Sequence, residues 1–136
     1  MPVESDEAVQ EILGLRRVGV VGCSRTPGKA AHEVPAYLDA NGYEVVPVNP
    51  NADELFGREA VDTLADVGEP IDVVTVFRPS EEVASIVDAA IERDDVSVVW
   101  TQLGIRDEAA FERAEAAGLT VVADRCMKVE HRRLYG

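Results

Sequence analysis

Residues Arg17 to Gly28, RVGVVGCSRTPG, constrain the fold more than any other stretch: an apolar run breaks into small residues, one Arg, one Pro and a closing Gly. A short apolar run bounded by turn residues reads as a buried parallel strand. Where such a strand feeds a tight loop before a helix, backbone amides and a helix N-terminus converge on a point that favours an anion such as phosphate. The spacing departs from the dinucleotide fingerprint G-x-G-x-x-G, because Gly22-Cys23-Ser24-Arg25-Thr26-Pro27-Gly28 lacks its second glycine. The next strand ends in Asn49-Pro50, where an NAD site places an Asp or Glu for the ribose hydroxyls. Taken alone, the loop also reads as a helix-packing turn without a ligand.

Strand and helix patterns alternate along the chain without a linker, repeat or low-complexity tract, which predicts one α/β domain built on a doubly wound, Rossmann-like parallel sheet of about five strands. The expected strands are Val18 to Val21, Glu44 to Val48, Ile71 to Phe77, Val96 to Trp100 and Leu119 to Ala123. Ser5 caps a first helix running to about Leu15, with Val9, Ile12 and Leu13 on one face. Further helices are expected near Ala30 to Ala40, Ser80 to Arg93 and Asp107 to Ala117, with a helical turn around Thr63 to Val67. Right-handed crossovers favour the strand order 3-2-1-4-5.

The chain has 136 residues, of which 46% are hydrophobic, enough for a sizeable core but not for a second catalytic domain. No apolar run approaches the ~20 residues of a membrane span, and MPVESDEAVQ lacks the features of a secretory signal, so a cytoplasmic protein is expected. Cys23 and Cys126 are too few for a disulfide framework, and with His32 and His131 they form no metal pattern. Cys23, at a buried strand end, is expected to behave as a small hydrophobe. There are 26 Asp and Glu against 13 Lys and Arg, a net charge of −13, and Lys29 and Lys128 are the only lysines. Such acidity opposes nucleic acid and anionic membrane as partners, and it suits a protein solvated in high salt.

In an open α/β sheet, ligands bind beyond the carboxyl ends of the strands, where the strand order reverses. Arg25, Lys29, Arg78, Arg106, Arg125 and Lys128 all fall just past expected strands, so six of the 13 basic residues are assigned to one edge of an acidic molecule. That placement implies a polyanionic ligand focused into a cleft.

Several dispersed blocks carry a family resemblance. They are Val20-Val21-Gly22-Cys23-Ser24 with Pro27-Gly28; Val46-Pro47-Val48-Asn49-Pro50; Val76-Phe77-Arg78; Trp100-Thr101-Gln102-Leu103-Gly104-Ile105; and Asp124-Arg125-Cys126-Met127-Lys128-Val129-Glu130-His131. Over about Val18 to Leu134 the chain resembles the stand-alone branch of the CoA-binding domain family, related to the N-terminal domain of the succinyl-CoA synthetase alpha subunit. The resemblance implies coenzyme A as cofactor, held by the Gly22 to Gly28 loop with Ser24 as a hydrogen-bond donor. It also implies Asn49 and Pro50 beside the nucleotide, Phe77 and Arg78 in the cleft, Gln102 to Gly104 on the pantetheine side, and Cys126 close to the CoA. Arginines can fork onto the ribose phosphate that distinguishes CoA from ADP.

The synthetases work through a phosphorylated His in a second domain absent from this sequence, so no catalytic residue is assigned and the expected role is non-catalytic binding of CoA or acyl-CoA. An NAD(P)-binding oxidoreductase or redox sensor, and an interaction subunit of an acyl-CoA synthetase, remain the alternatives; self-association also stays open. His32 is expected to be a packing or helix-surface residue. His131 is either a solvated side chain of the Lys128 to Arg133 tail or a structural or ligand-gating group. Trp100 and Tyr37 read as core or groove residues rather than a stacking platform. From the charge balance, the melting temperature is expected to rise as KCl increases from dilute buffer to molar concentration, and a flat or falling profile removes the case for a high-salt setting.

Overall fold

A computed structural model describes residues 1–135. Five parallel strands, β1 (Arg17–Val21), β2 (Glu44–Val48), β5 (Val73–Val76), β6 (Val98–Thr101) and β7 (Thr120–Val122), form one sheet in the order β2-β1-β5-β6-β7. Two short strands, β3 (Glu54–Leu55) and β4 (Arg58–Glu59), pair as an antiparallel hairpin that the sequence pattern did not announce. The helices are α1 (Asp6–Ile12), α2 (Ala30–Ala40), α3 (Val83–Ile91), α4 (Glu108–Ala116) and α5 (Met127–Tyr135). Ser5 caps α1 as expected, its hydroxyl accepting the Ala8 amide at 3.2 Å. The expected Ser80 to Arg93 helix begins as a 3-10 turn over Ser80–Glu82, and the Lys128 to Arg133 tail is part of α5. No helix among the described residues is long and apolar enough to cross a membrane.

The strand order corrects the expected 3-2-1-4-5, because the third strand of this sheet, β5, lies against β1 instead of outside β2. Pro47 supplies the physical reason. Successive residues of a parallel strand present their backbone polar groups alternately to the two sides. The Pro47 carbonyl accepts from Val61 N on the side away from β1, whereas the Glu44 amide donates to Arg16 on the β1 side. The donor that proline lacks therefore falls on the open edge, where it costs no ladder bond; an interior β2 would have left a neighbour's carbonyl unpaired. β5, buried at all four positions, fills the interior place.

Alternation along the strands sends side chains into two layers. Val18, Val20, Val45, Val73, Val98 and Trp100 pack under α1, α2 and α5, whereas Val21, Val46, Val74, Val76 and Val99 pack under α3 and α4. Trp100 is fully buried and donates its indole N–H to the Arg125 carbonyl at 2.8 Å, which makes it a core residue. At Gly19 a Cβ would come within 2.9 Å of Ile71 Cδ1, so the missing side chain is what lets Ile71 cover the sheet.

Arg93 fastens the segment that follows β4. Its guanidinium donates to the carbonyls of Leu64, Val67 and Glu69 at 2.9–3.1 Å and forks onto Asp95, which also accepts the Ile71 amide. The 3-10 turn Leu64–Asp66 is thereby held against the sheet. Arg93→Ala is expected to lower the unfolding free energy by about 2 to 4 kcal/mol, because it leaves part-buried carbonyls without a donor. Urea denaturation of the variant, with Arg93→Lys failing to restore the full value for want of a planar fork, checks this.

Candidate functional site

The corrected strand order moves the switch point to the gap between β1 and β5, so the loops after these two strands flank the crevice. A cleft of about 710 Å³ opens there, within the size range of small-molecule sites. Its floor is apolar, with Val21, Val48, Leu64 and Ile86; its rim is polar, with Ser24, Lys29, Asn49, Asn51, Thr63 and Arg78.

Of the residues singled out from the sequence, Gly22, Ser24, Lys29, Asn49, Pro50, Phe77 and Arg78 line this cleft. Cys23 is buried beneath the loop, where the apolar surroundings push its thiol up to about 12. Arg25, Pro27 and Gly28 are exposed on the outer turn of the loop. Gln102, Gly104, Arg125, Cys126 and Lys128 do not line the cleft. They follow β6 and β7, strands that the order β2-β1-β5-β6-β7 carries away from the switch point. The sequence pattern passed over the cleft's far wall, Asp62, Thr63, Leu64, Glu82, Ser85 and Ile86. The helical turn expected around Thr63 to Val67 is present as the 3-10 turn Leu64–Asp66, but neither it nor α3, which reads from sequence as an amphipathic helix, signals a ligand.

The loop after β1 is held by backbone accounting. Pro35 inside α2 has no N–H to give the Ala31 carbonyl four residues earlier, and that carbonyl accepts the Ser24 amide at 2.9 Å instead. The Gly28 amide donates to Glu33 Oε1 at 2.8 Å, and the Thr26 amide to Ser24 Oγ at 3.1 Å. Several of the amides expected to receive an anion are thus engaged within the loop. Asn49 Nδ2 donates to the Cys23 carbonyl at 2.7 Å while its Oδ1 accepts the Asn51 amide, tying the first two loops together. A carboxylate at position 49 has no hydrogen to give Cys23, which accounts for the missing acidic residue.

Gly22 has φ +87°, and a Cβ there would lie 2.8 Å from Arg78 Cδ, so the Arg78 stem lies directly over the glycine. The Arg78 guanidinium forks onto Glu82 at 2.8 and 3.1 Å. These hydrogen bonds hold the Glu82 carboxyl below the ordinary carboxylate range and raise Arg78 above its usual value.

The six basic residues do not form one cluster. Lys29 and Arg78 reach the cleft, Arg106 pairs with Glu108, Arg125 pairs with Glu130, and Lys128 Nζ sits 5.7 Å from the Tyr37 ring centre. Cys126, half-buried, lines a separate hollow of about 200 Å³ with Leu103, Asp124, Arg125, Val129, Glu130 and Arg133. Gly104 donates its amide to Asp124 Oδ1 at 2.6 Å. Gln102 accepts the Met127 amide at the start of α5 with Oε1, and its Nε2 is buried without a partner.

His131 is 7% exposed, not a solvated tail residue. Its Nδ1 lies 2.7 Å from the Tyr37 hydroxyl and its ring stacks on Tyr135, with centroids 5.2 Å apart. His32 packs against Phe56, with ring centroids 5.2 Å apart and the planes tilted by 34°, a packing position as expected.

With this geometry in place, the comparisons with known proteins are specific. The CoA binding domain model matches residues 16–132. An uncharacterised protein of Bacillus subtilis, YneT, is 39% identical over 93% of this chain and 94% of its own. A hypothetical protein from Pyrococcus horikoshii superposes with a TM-score of 0.94 at 37% identity, covering 100% of this chain and 97% of its own. An ADP-forming acetate–CoA ligase of Archaeoglobus fulgidus is 27% identical over 77% of this chain, which spans only 16% of that enzyme's length. Fold and sequence agree: the chain belongs to the CoA-binding domain family.

Burial holds the His131 imidazolium below the ordinary histidine value of 6.5, with Arg16 adding repulsion. The native state therefore binds fewer protons than the unfolded chain below that value, so this histidine's contribution is present above pH 6.5 and declines as pH falls toward the lowered native value. Urea denaturation between pH 7.5 and about 5 is expected to show a flatter acid-side decline for His131→Phe than for the native chain. Identical slopes would refute this.

Proposed function

We propose that residues 1–136 act as one domain that binds CoA or an acyl-CoA in the β1–β5 cleft without catalysing a reaction on it. The observation that supports the reading most is the pairing of Lys29 and the Arg78 fork on the rim with an apolar floor of Val21, Val48, Leu64 and Ile86. CoA combines the matching chemistries: anionic phosphates for the two cations, and an adenine ring or acyl arm for the floor. Asn49, committed to the Cys23 carbonyl, offers no carboxylate for the ribose diol of NAD. In this arrangement Arg78 and Lys29 hold phosphate, Ser24 offers a hydroxyl, and Asn49 keeps the two loops in register. The residues after β6 and β7, Gln102, Gly104, Arg125, Cys126 and Lys128, receive only the far end of an extended ligand.

Isothermal calorimetry with CoA, dephospho-CoA, NAD and NADP tests the reading. CoA is expected to bind tightest, dephospho-CoA more weakly for lack of the ribose phosphate, and Arg78→Ala to weaken CoA by ~1 to 3 kcal/mol. Tighter binding of NAD than of CoA would transfer the site to the dinucleotide reading. Binding of neither, together with a stable complex with an acyl-CoA synthetase chain, would favour the interaction subunit.

A further inference from the structure

The cleft carries its own anion. Lys29 and Arg78 are its basic lining residues, and Asp62 and Glu82 oppose them, so the lining has no net formal charge. Glu82 lies four residues after Arg78, at the end of the 3-10 turn leading into α3, and takes the Nε/Nη2 edge of the guanidinium. A fork of this kind is the geometry by which arginine holds a phosphate. The Arg78 stem is confined by its contact over Gly22, so the head meets Glu82 from a fixed base. The pair is also solvent-accessible, with side chains 48% and 43% exposed, and such i,i+4 pairs are weak enough to be exchanged for a more highly charged partner. A phosphomonoester or pyrophosphate carries more charge than one carboxylate and fits the same fork.

We propose that Glu82 is an internal competitor for the ligand phosphate, occupying the Nε/Nη2 edge of Arg78 until a polyanion displaces it and thereby setting the affinity threshold and anion selectivity of the cleft. This rests on reading the cleft as a nucleotide phosphate site, and deepens it. Glu82 acts through Arg78 and makes no bond to the ligand. Its removal leaves the fork open, which favours all phosphate ligands, whereas a neighbouring exposed carboxylate that does not touch Arg78, Glu81, contributes only its diffuse charge.

Calorimetry with inorganic pyrophosphate, ADP and CoA on the native chain, Glu82→Gln, Glu81→Gln, Arg78→Ala and the Glu82→Gln/Arg78→Ala double variant decides it, with melting curves confirming that each is folded. Glu82→Gln is expected to tighten pyrophosphate and ADP about three- to tenfold, and Glu81→Gln by about twofold or less. In the Arg78→Ala background the Glu82→Gln gain is expected to vanish, since no fork remains to be released. A gain from Glu82→Gln no larger than that from Glu81→Gln, or one that persists without Arg78, overturns the competitor role. If pyrophosphate and ADP follow the expected pattern while CoA binds no better than ADP, the CoA reading falls and the competitor stands. Failure of all three ligands to bind any variant overturns both.

Discussion

Strand β2 has to lie on the edge of the sheet, and the location of the cleft follows from that constraint. Pro47 lacks the amide that an interior neighbour would require, and its carbonyl turns outward to Val61. With β2 on the outside, β5 pairs with β1 in the register Val18↔Val73 to Val21↔Val76, and the chain reverses direction across the sheet between these two strands. The loops beginning at Gly22 and Phe77 then face each other across the crevice. Under the order expected from the pattern of crossovers, the facing loops would have been those after β1 and β6, and Gln102 and Gly104 would have taken the place that Phe77 and Arg78 hold.

The cleft is prepared by bonds that are spent elsewhere. Pro35 releases the Ala31 carbonyl to clamp Ser24, Asn49 spans from one loop to the next, and Arg93 pins the turn that supplies Leu64 and its neighbours to the far wall. Each of these is a local deficit or a long side chain answering a backbone group that would otherwise stay unpaired. The result is a rim that is positioned before any ligand arrives, and whose arginine, Arg78, already has a carboxylate partner.

The second edge of the sheet has a different character. Arg125 and Arg133 converge on Glu130, Arg133 also reaches Asp6, and Arg125 reaches the Glu4 carbonyl, so α5 and the N-terminal segment are stitched together. The two arginines hold the Glu130 carboxyl below its usual range, Arg133 contributing most. Basic residues that looked like ligand groups from their place after a strand are, in this half of the molecule, structural partners for acids. Charge and position after a strand do not separate the two uses; the separation depends on which carboxylates the fold brings within reach.

Hydrophobic alternation and punctuation in the sequence were enough to determine five buried strands, the helices between them, the capping of α1 by Ser5 and the loop that starts at Gly22, because these are set by neighbours along the chain. The short motifs around Gly22, Asn49 and Arg78 carried enough chemistry to name seven of the 18 residues that line the cleft. Sheet order, the hairpin β3–β4, the incorporation of the Lys128 to Arg133 segment into α5 and the burial of His131 were decided only in three dimensions. The same holds for the partners of Arg78, Arg106 and Arg125. Each depends on residues far apart in the chain, where pairing energies of whole strands and helices outweigh local preference. Pro47 is the instructive case: the residue was visible in the sequence, but the direction of its missing donor is defined only once a neighbouring strand is in place.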